Sequence, residues 1–126
     1  MEKGKILIVE DNKILLTMMR SFLERAGFEV KVNMNGKGAI ELINTEMYDL
    51  FIIDIMLPLI SGIELVHSIR QSPLNAEAKV IIVSDFADDS TIHDGFRIGA
   101  NDFLKKPITP NELVTRVNHH LSLVLA

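Results

Sequence analysis

Apolar positions along this chain follow two alternating patterns. Short continuous runs, Ile6-Leu7-Ile8-Val9, Leu50-Phe51-Ile52-Ile53 and Val80-Ile81-Ile82-Val83, have the length and composition of strands buried on both faces. Glu29 to Val32 and Phe103-Leu104 are shorter candidates of the same kind. Between these runs the apolar spacing widens to that of a helix. Leu15, Met18, Met19, Phe22 and Leu23 mark a helix from about Lys13 to Ala26, stopped by Gly27. Gly36 and Gly38 open a second helix that carries Ala39, Ile40, Ile43 and Met47. Ser61 and Glu64 make a capping box for a third, with Ile63, Val66 and Ile69 as its stripe and Ser72-Pro73 as its end. A fourth runs from about Asp88 to Ile98 around Gly95. A glycine in an exposed helix interior costs roughly 1 kcal/mol against alanine, so this helix is expected to be the least stable. Thr109-Pro110 caps and starts the last helix, with Leu113, Val114, Val117, Leu121 and Val124 facing inward.

Strand then helix, five times over, predicts one α/β domain spanning 1–126: a parallel sheet, right-handed crossovers, and helices on both faces. A chain of 126 residues, 48% of them apolar, is long enough for a substantial core. The absence of cysteine excludes disulfides, thiolate metal sites and cysteine nucleophiles. Net charge is −4 with no basic stripe, so this domain is not expected to touch nucleic acid directly. The apolar run Ile6 to Val9 is too short for a signal peptide or a membrane span, and a cytoplasmic setting is expected. His67, His93, His119 and His120 lack ligand spacing and read as surface or half-buried side chains.

Candidate chemistry gathers where the strands end. In an open α/β sheet, ligands bind outside the carboxyl ends of the strands. Glu10 and Asp11 end the first strand, Asp54 the third and Ser84 the fourth, and the fifth leads into Lys105-Lys106-Pro107. Each of these residues alone would be an ordinary loop charge or turn residue. Together they form a group of three mutually repelling carboxylates, which a divalent cation and one lysine would neutralise. An oxygen-only set of this kind suits Mg²⁺. A carboxylate nucleophile, a metal, a lysine and a hydroxyl are equipment for accepting a phosphoryl group.

In the order and spacing of Glu10-Asp11, Asp54 with Pro58 and Gly62, Ser84, and Lys106-Pro107, the chain resembles the receiver domain of two-component response regulators along nearly its whole length. The resemblance implies a doubly wound, flavodoxin-like (βα)5 fold with strand order 2-1-3-4-5, the order already associated with this family. It implies that Asp54 is the phosphoacceptor, and that Asp11, Asp54 and the Met56 backbone carbonyl hold Mg²⁺ (or Mn²⁺), with Glu10 helping through water. It further implies that Ser84 and Lys106 bind the phosphoryl group, and that Ser84 and Phe103 form the switch. Lys106 is chosen over Lys105 because the family's lysine directly precedes a proline, through a cis bond that lets it reach the site. The implied partners are a histidine kinase or phosphotransfer protein upstream and an output domain or protein downstream. The domain itself would be a signalling phosphoacceptor rather than an enzyme.

The chain departs from the family pattern at Asp85, where a small residue usually follows the serine, and carries bulky Met56 and Phe86 beside the site. A phosphatase of the haloacid-dehalogenase type would need an aspartate where Met56 stands, and a flavin carrier would need a phosphate-cradling loop in place of Glu10-Asp11. The remaining alternative is a degenerate receiver that serves only as a docking module. Asp102 and Arg116 match a cross-subunit pair of dimeric receivers, and Glu112 matches the acidic half of another. The basic partner of Glu112 falls near Asp94 instead, so a monomer or weak homodimer is expected.

Overall fold

The computed structural model describes residues 4–86 and 88–125, and the side chains of 4–86 and 88–122. Five strands and five helices alternate. They are β1 (Lys5–Val9), α1 (Lys13–Arg25), β2 (Glu29–Asn33), α2 (Gly36–Thr45), β3 (Leu50–Asp54), α3 (Gly62–Gln71), β4 (Lys79–Ser84), α4 (Asp89–Arg97), β5 (Asp102–Lys105) and α5 (Pro110–Leu125). All pairings are parallel and the sheet order is β2-β1-β3-β4-β5. This is the flavodoxin-like arrangement that the resemblance implies.

Period-two alternation splits the core into two layers. Ile6, Ile8, Leu50, Ile52, Ile81, Val83 and Leu104 face α1 and α5, where they meet Leu16, Met19 and Leu23 and then Leu113, Val117 and Leu121. Leu7, Val9, Phe51, Ile53, Val80 and Ile82 face the other way, onto Ala39 and Ile43 of α2 and Leu65, Val66 and Ile69 of α3. Every residue of β3 is buried, as expected for the central strand of a covered parallel sheet.

Several local expectations change. The stripe of α1 is centred on Leu16, Met19 and Leu23, while Met18, about 100° round the helix from Met19, is 43% exposed. Met47 lies beyond α2 and is exposed. The helix ends at Thr45 because buried Asn75 takes over its terminus: its Nδ2 donates to the Ile43 and Glu46 carbonyls at 2.7 and 2.8 Å, and its Oδ1 accepts the Tyr48 N–H at 2.8 Å. Gly95 is not in an exposed interior. It is the buried residue of α4, where a β-carbon would come within 3.0 Å of Ile82 Cδ1, so the glycine sets how closely α4 approaches the sheet. His120 is buried, more deeply than the surface or half-buried position expected of it. The inward placement expected for Val124 falls outside the described side chains.

Candidate functional site

Sheet register brings the site together. Val9 pairs with Ile53 and Asp54 pairs with Val83, so Glu10 and Asp54 leave neighbouring strands side by side. Ser84 pairs with Lys105, and the Lys106 N–H donates to the Ser84 carbonyl at 2.8 Å. The following peptide bond, Lys106-Pro107, is cis. Gly62 closes the loop after Asp54. Its N–H donates to the Ile55 carbonyl at 3.0 Å, and a β-carbon there would collide with the Asp54 carbonyl oxygen.

At the centre Lys106 bridges two carboxylates. Its Nζ lies 3.3 Å from Asp54 Oδ2 as a hydrogen bond and 2.9 Å from Glu10 Oε1 as an ion pair. The second contact holds Glu10 Oε1, which is fully buried. Glu10 Oε2 accepts the Asn12 N–H at 3.0 Å, and Asp54 Oδ1 accepts the Met56 N–H at 3.0 Å. Glu10 and Ser84 are fully buried, Asp54 is 3% exposed, and Asp11 is exposed. Lys105 points outward and is exposed, whereas Lys106 is turned in.

Burial dominates the electrostatics. It pushes the Glu10 carboxyl up to about 7, with the Asn12 N–H and Lys106 opposing the rise and neighbouring Asp54 adding to it. Burial alone would lower the Lys106 ammonium, but Glu10 and Asp54 outweigh it and hold the group above its ordinary value. Glu10, Asp11 and Asp54 each bring a carboxylate oxygen within 4.8 Å of the other two. A hard divalent cation fits this donor set: all donors are oxygen, and the one ammonium, shared by Glu10 and Asp54, leaves the three carboxylates with negative charge in excess.

Ser84 Oγ accepts the Phe86 N–H at 3.0 Å. Beside it a cleft of about 280 Å³ runs between the β3–α3 loop and α4, lined among others by Met56, Ser84, Phe86 and Thr91. Asp85 is exposed next to Ser84. Phe103 is half-buried on the α4 side of the sheet, where a β-carbon on Gly95 would lie 4.0 Å from its Cδ2.

The family model described as the response regulator receiver domain matches residues 6–118, the stretch that contains all of these groups. The chain belongs to the response regulator receiver family. The receiver domain is 34% identical over 113 residues to the transcriptional regulatory protein CrdR of Helicobacter pylori, covering 90% of this chain and 53% of that protein. It is 37% identical over 113 residues to the phosphate regulon transcriptional regulatory protein PhoB of Rhizobium meliloti, covering 90% and 50%. The chain thus spans about half the length of the curated relatives it matches. In structure it resembles the receiver domain of a Francisella response regulator, with TM-score 0.87, 33% identity, and 95% and 98% of the two chains covered. It also resembles the receiver domain of a sensor histidine kinase from Pseudomonas aeruginosa, whose structure has magnesium coordinated in the active-site cleft, with TM-score 0.87, 25% identity, and 94% and 98% covered. The family is one of two-component signalling, and its receivers are phosphoacceptors rather than conventional enzymes.

Two arrangements escaped sequence reasoning. Asp102 is held within its own chain by Arg116 Nη1 at 2.6 Å and His120 Nε2 at 2.9 Å, so the pair matched to a subunit contact closes inside one subunit. Four-residue spacing on α5 was the available signal for both partners sharing a face. Arg70 ties α3 to the segments before β4 and β5, donating to the carbonyls of Gly99, Ala76 and Ala78. No motif marks it. Among the described residues, no helix is long and apolar enough to cross a membrane.

Proposed function

We propose that this receiver domain takes a phosphoryl group onto Asp54 from the phosphohistidine of a sensor kinase or phosphotransfer protein. The observation that carries the reading is Lys106 held between Glu10 and Asp54 at a recessed strand end, with Asp11 alongside. A carboxylate oxygen of Asp54 forms the new bond to phosphorus as the P–N bond to the donor imidazole breaks, and the nitrogen keeps the electron pair. The Lys106 ammonium lies where it neutralises the transferred oxygens. The Ser84 hydroxyl, whose oxygen accepts the Phe86 N–H, has its own hydrogen to donate to one of them.

Asp11, Asp54 and the Met56 carbonyl would hold Mg²⁺ or Mn²⁺, with Glu10 contributing through water. When bound, the ion supplies positive charge that offsets the phosphoryl oxygens. Ser84 and Phe103 act as the switch. Ser84 is drawn toward the phosphoryl group, Phe103 moves inward, and the face made by α4, β5 and α5 changes shape for an output domain or partner protein. The domain is monomeric or weakly dimeric before this step, and works in the cytoplasm.

Exposed Asp85 beside Ser84 favours one other reading, a receiver that docks a partner without being phosphorylated, because a carboxylate there opposes a dianionic group. Incubation with acetyl phosphate and Mg²⁺, read by intact mass, separates the two. Addition of one phosphoryl group, lost in Asp54→Asn and in EDTA, is the expected result. No addition to the parent chain would leave the docking module.

A further inference from the structure

Pro58-Leu59-Ile60 forms a γ-turn: the Ile60 N–H donates to the Pro58 carbonyl at 2.8 Å, and Leu59 takes φ 70°. Among the described residues it is the non-glycine with positive φ, a conformation that is strained for a bulky side chain. Leu59 is also 97% exposed, so no packing within the fold offsets that strain.

Both flanks force the turn. Ile60 packs on the start of α2 so closely that a β-carbon on Gly36 would lie 2.8 Å from its Cβ. Further along the same flank Gly62 is pressed against the Asp54 carbonyl and bonded to Ile55, and on the N-terminal flank Leu57 is buried and the Met56 N–H donates to Asp54 Oδ1. Leu59 is therefore presented outward by a fixed backbone. Strain of this kind persists where the surroundings over-determine it, and it gathers at functional sites.

Its position gives the role. Leu59 shares a loop with Met56, which is 60% exposed, while Phe86 (57%) follows β4 and Ile14 (75%) opens α1. All four lie at the carboxyl edge of the sheet, around an acidic centre where Asp54 is only 3% exposed. A donor that delivers a phosphoryl group to Asp54 has to come across this apolar rim. A molecule the size of acetyl phosphate reaches the carboxylate without covering the rim; a protein donor covers it.

We infer that Leu59 is a preformed docking knob for the protein that carries the phosphohistidine, seated in an apolar patch beside that histidine. The inference rests on Asp54 being the phosphoacceptor. The probe is an autophosphorylated kinase cytoplasmic domain, chosen from a panel as the fastest donor to the parent chain, with acetyl phosphate as the second donor. Leu59→Gly relieves the backbone, Leu59→Ser keeps the strain but removes the apolar group, and Leu59→Met keeps the apolar group. Leu59→Gly and Leu59→Ser are expected to lower kcat/KM from the kinase about 10- to 100-fold, mainly through KM, the range for losing one buried leucine. Leu59→Met retains the parent rate, and all variants accept from acetyl phosphate as the parent does. Kinase transfer at the parent rate in Leu59→Ser and Leu59→Gly would overturn the inference, as would equal losses with both donors. If the parent accepts from neither donor, the reading of Asp54 itself fails.

Discussion

Arg116 and Asp102 are joined inside one subunit, Nη1 to Oδ1 at 2.6 Å, while the second oxygen of Asp102 lies 2.9 Å from His120. The first oxygen also accepts the N–H of Phe103 at 2.8 Å. A dimer that used Asp102 or Arg116 across subunits would have to give up these contacts first. We expect the unphosphorylated domain to sediment as a monomer, and Arg116→Ala to leave it so. Because the arginine is partly exposed, its loss should cost no more than about 1 kcal/mol. A tight dimer that survives the substitution would contradict this account of the face.

The same cluster predicts an acid response. Burial raises the Asp102 carboxyl, but hydrogen bonds from His120, Arg116 and the Phe103 N–H outweigh it and hold the group below the usual carboxylate range. A carboxyl with a lowered folded-state value adds stability that is present above its unfolded pKa, near 3.9, and lost as pH falls through the folded value. Urea unfolding should therefore show Asp102→Asn less stable than the parent at pH 7, with the difference shrinking below about pH 4. A constant difference across that range would mean that the carboxylate charge is not what stabilises the cluster.

Arg70 makes a prediction about geometry. Its guanidinium reaches Gly99, Ala76 and Ala78 carbonyls and Asn101 Oδ1, with distances from 2.6 to 3.1 Å. Lysine cannot reproduce a planar fork. Arg70→Lys should cost about 2–3 kcal/mol in urea unfolding, close to the cost of Arg70→Ala. Full rescue by lysine would show that charge alone matters there.

Most of the fold was legible because the central strands β1, β3 and β4 are short apolar runs that lead into a polar residue. The site was legible for the same reason: Glu10, Asp54 and Ser84 are those end residues, and parallel register aligns them. Misreadings came where one residue's environment depends on a distant segment. Met47 looked like the next turn of α2 because nothing nearby reveals that Asn75 ends the helix from across the loop. Gly95 looked like a weak point because the sequence does not show Ile82 beneath it. His120 read as a surface or half-buried side chain, and its burial follows from a partner that lies on β5.

Asp85 is exposed beside the buried Ser84, and so opposes an incoming dianion through solvent. Asp85→Ala should accept from acetyl phosphate roughly two- to fivefold faster, the range for one screened charge. Met56 and Phe86 line the cleft beside Ser84, and water that reaches an acyl phosphate on Asp54 through that cleft would be crowded by them. Phe86→Ala should therefore shorten the phosphorylated lifetime, measured by loss of the added mass after the donor is removed. An unchanged lifetime would place the water's approach elsewhere.

Borohydride trapping shows directly whether Asp54 is where the phosphoryl group arrives. An acyl phosphate is reduced at its carbonyl carbon, which leaves a stable mark on the acceptor residue. After transfer from an autophosphorylated kinase domain, reduction and peptide mass mapping should place that mark at Asp54 alone, with none in samples lacking Mg²⁺. A mark at Glu10 or Asp11, or phosphate retained on Ser84 or a histidine with Asp54 unmodified, would contradict the account.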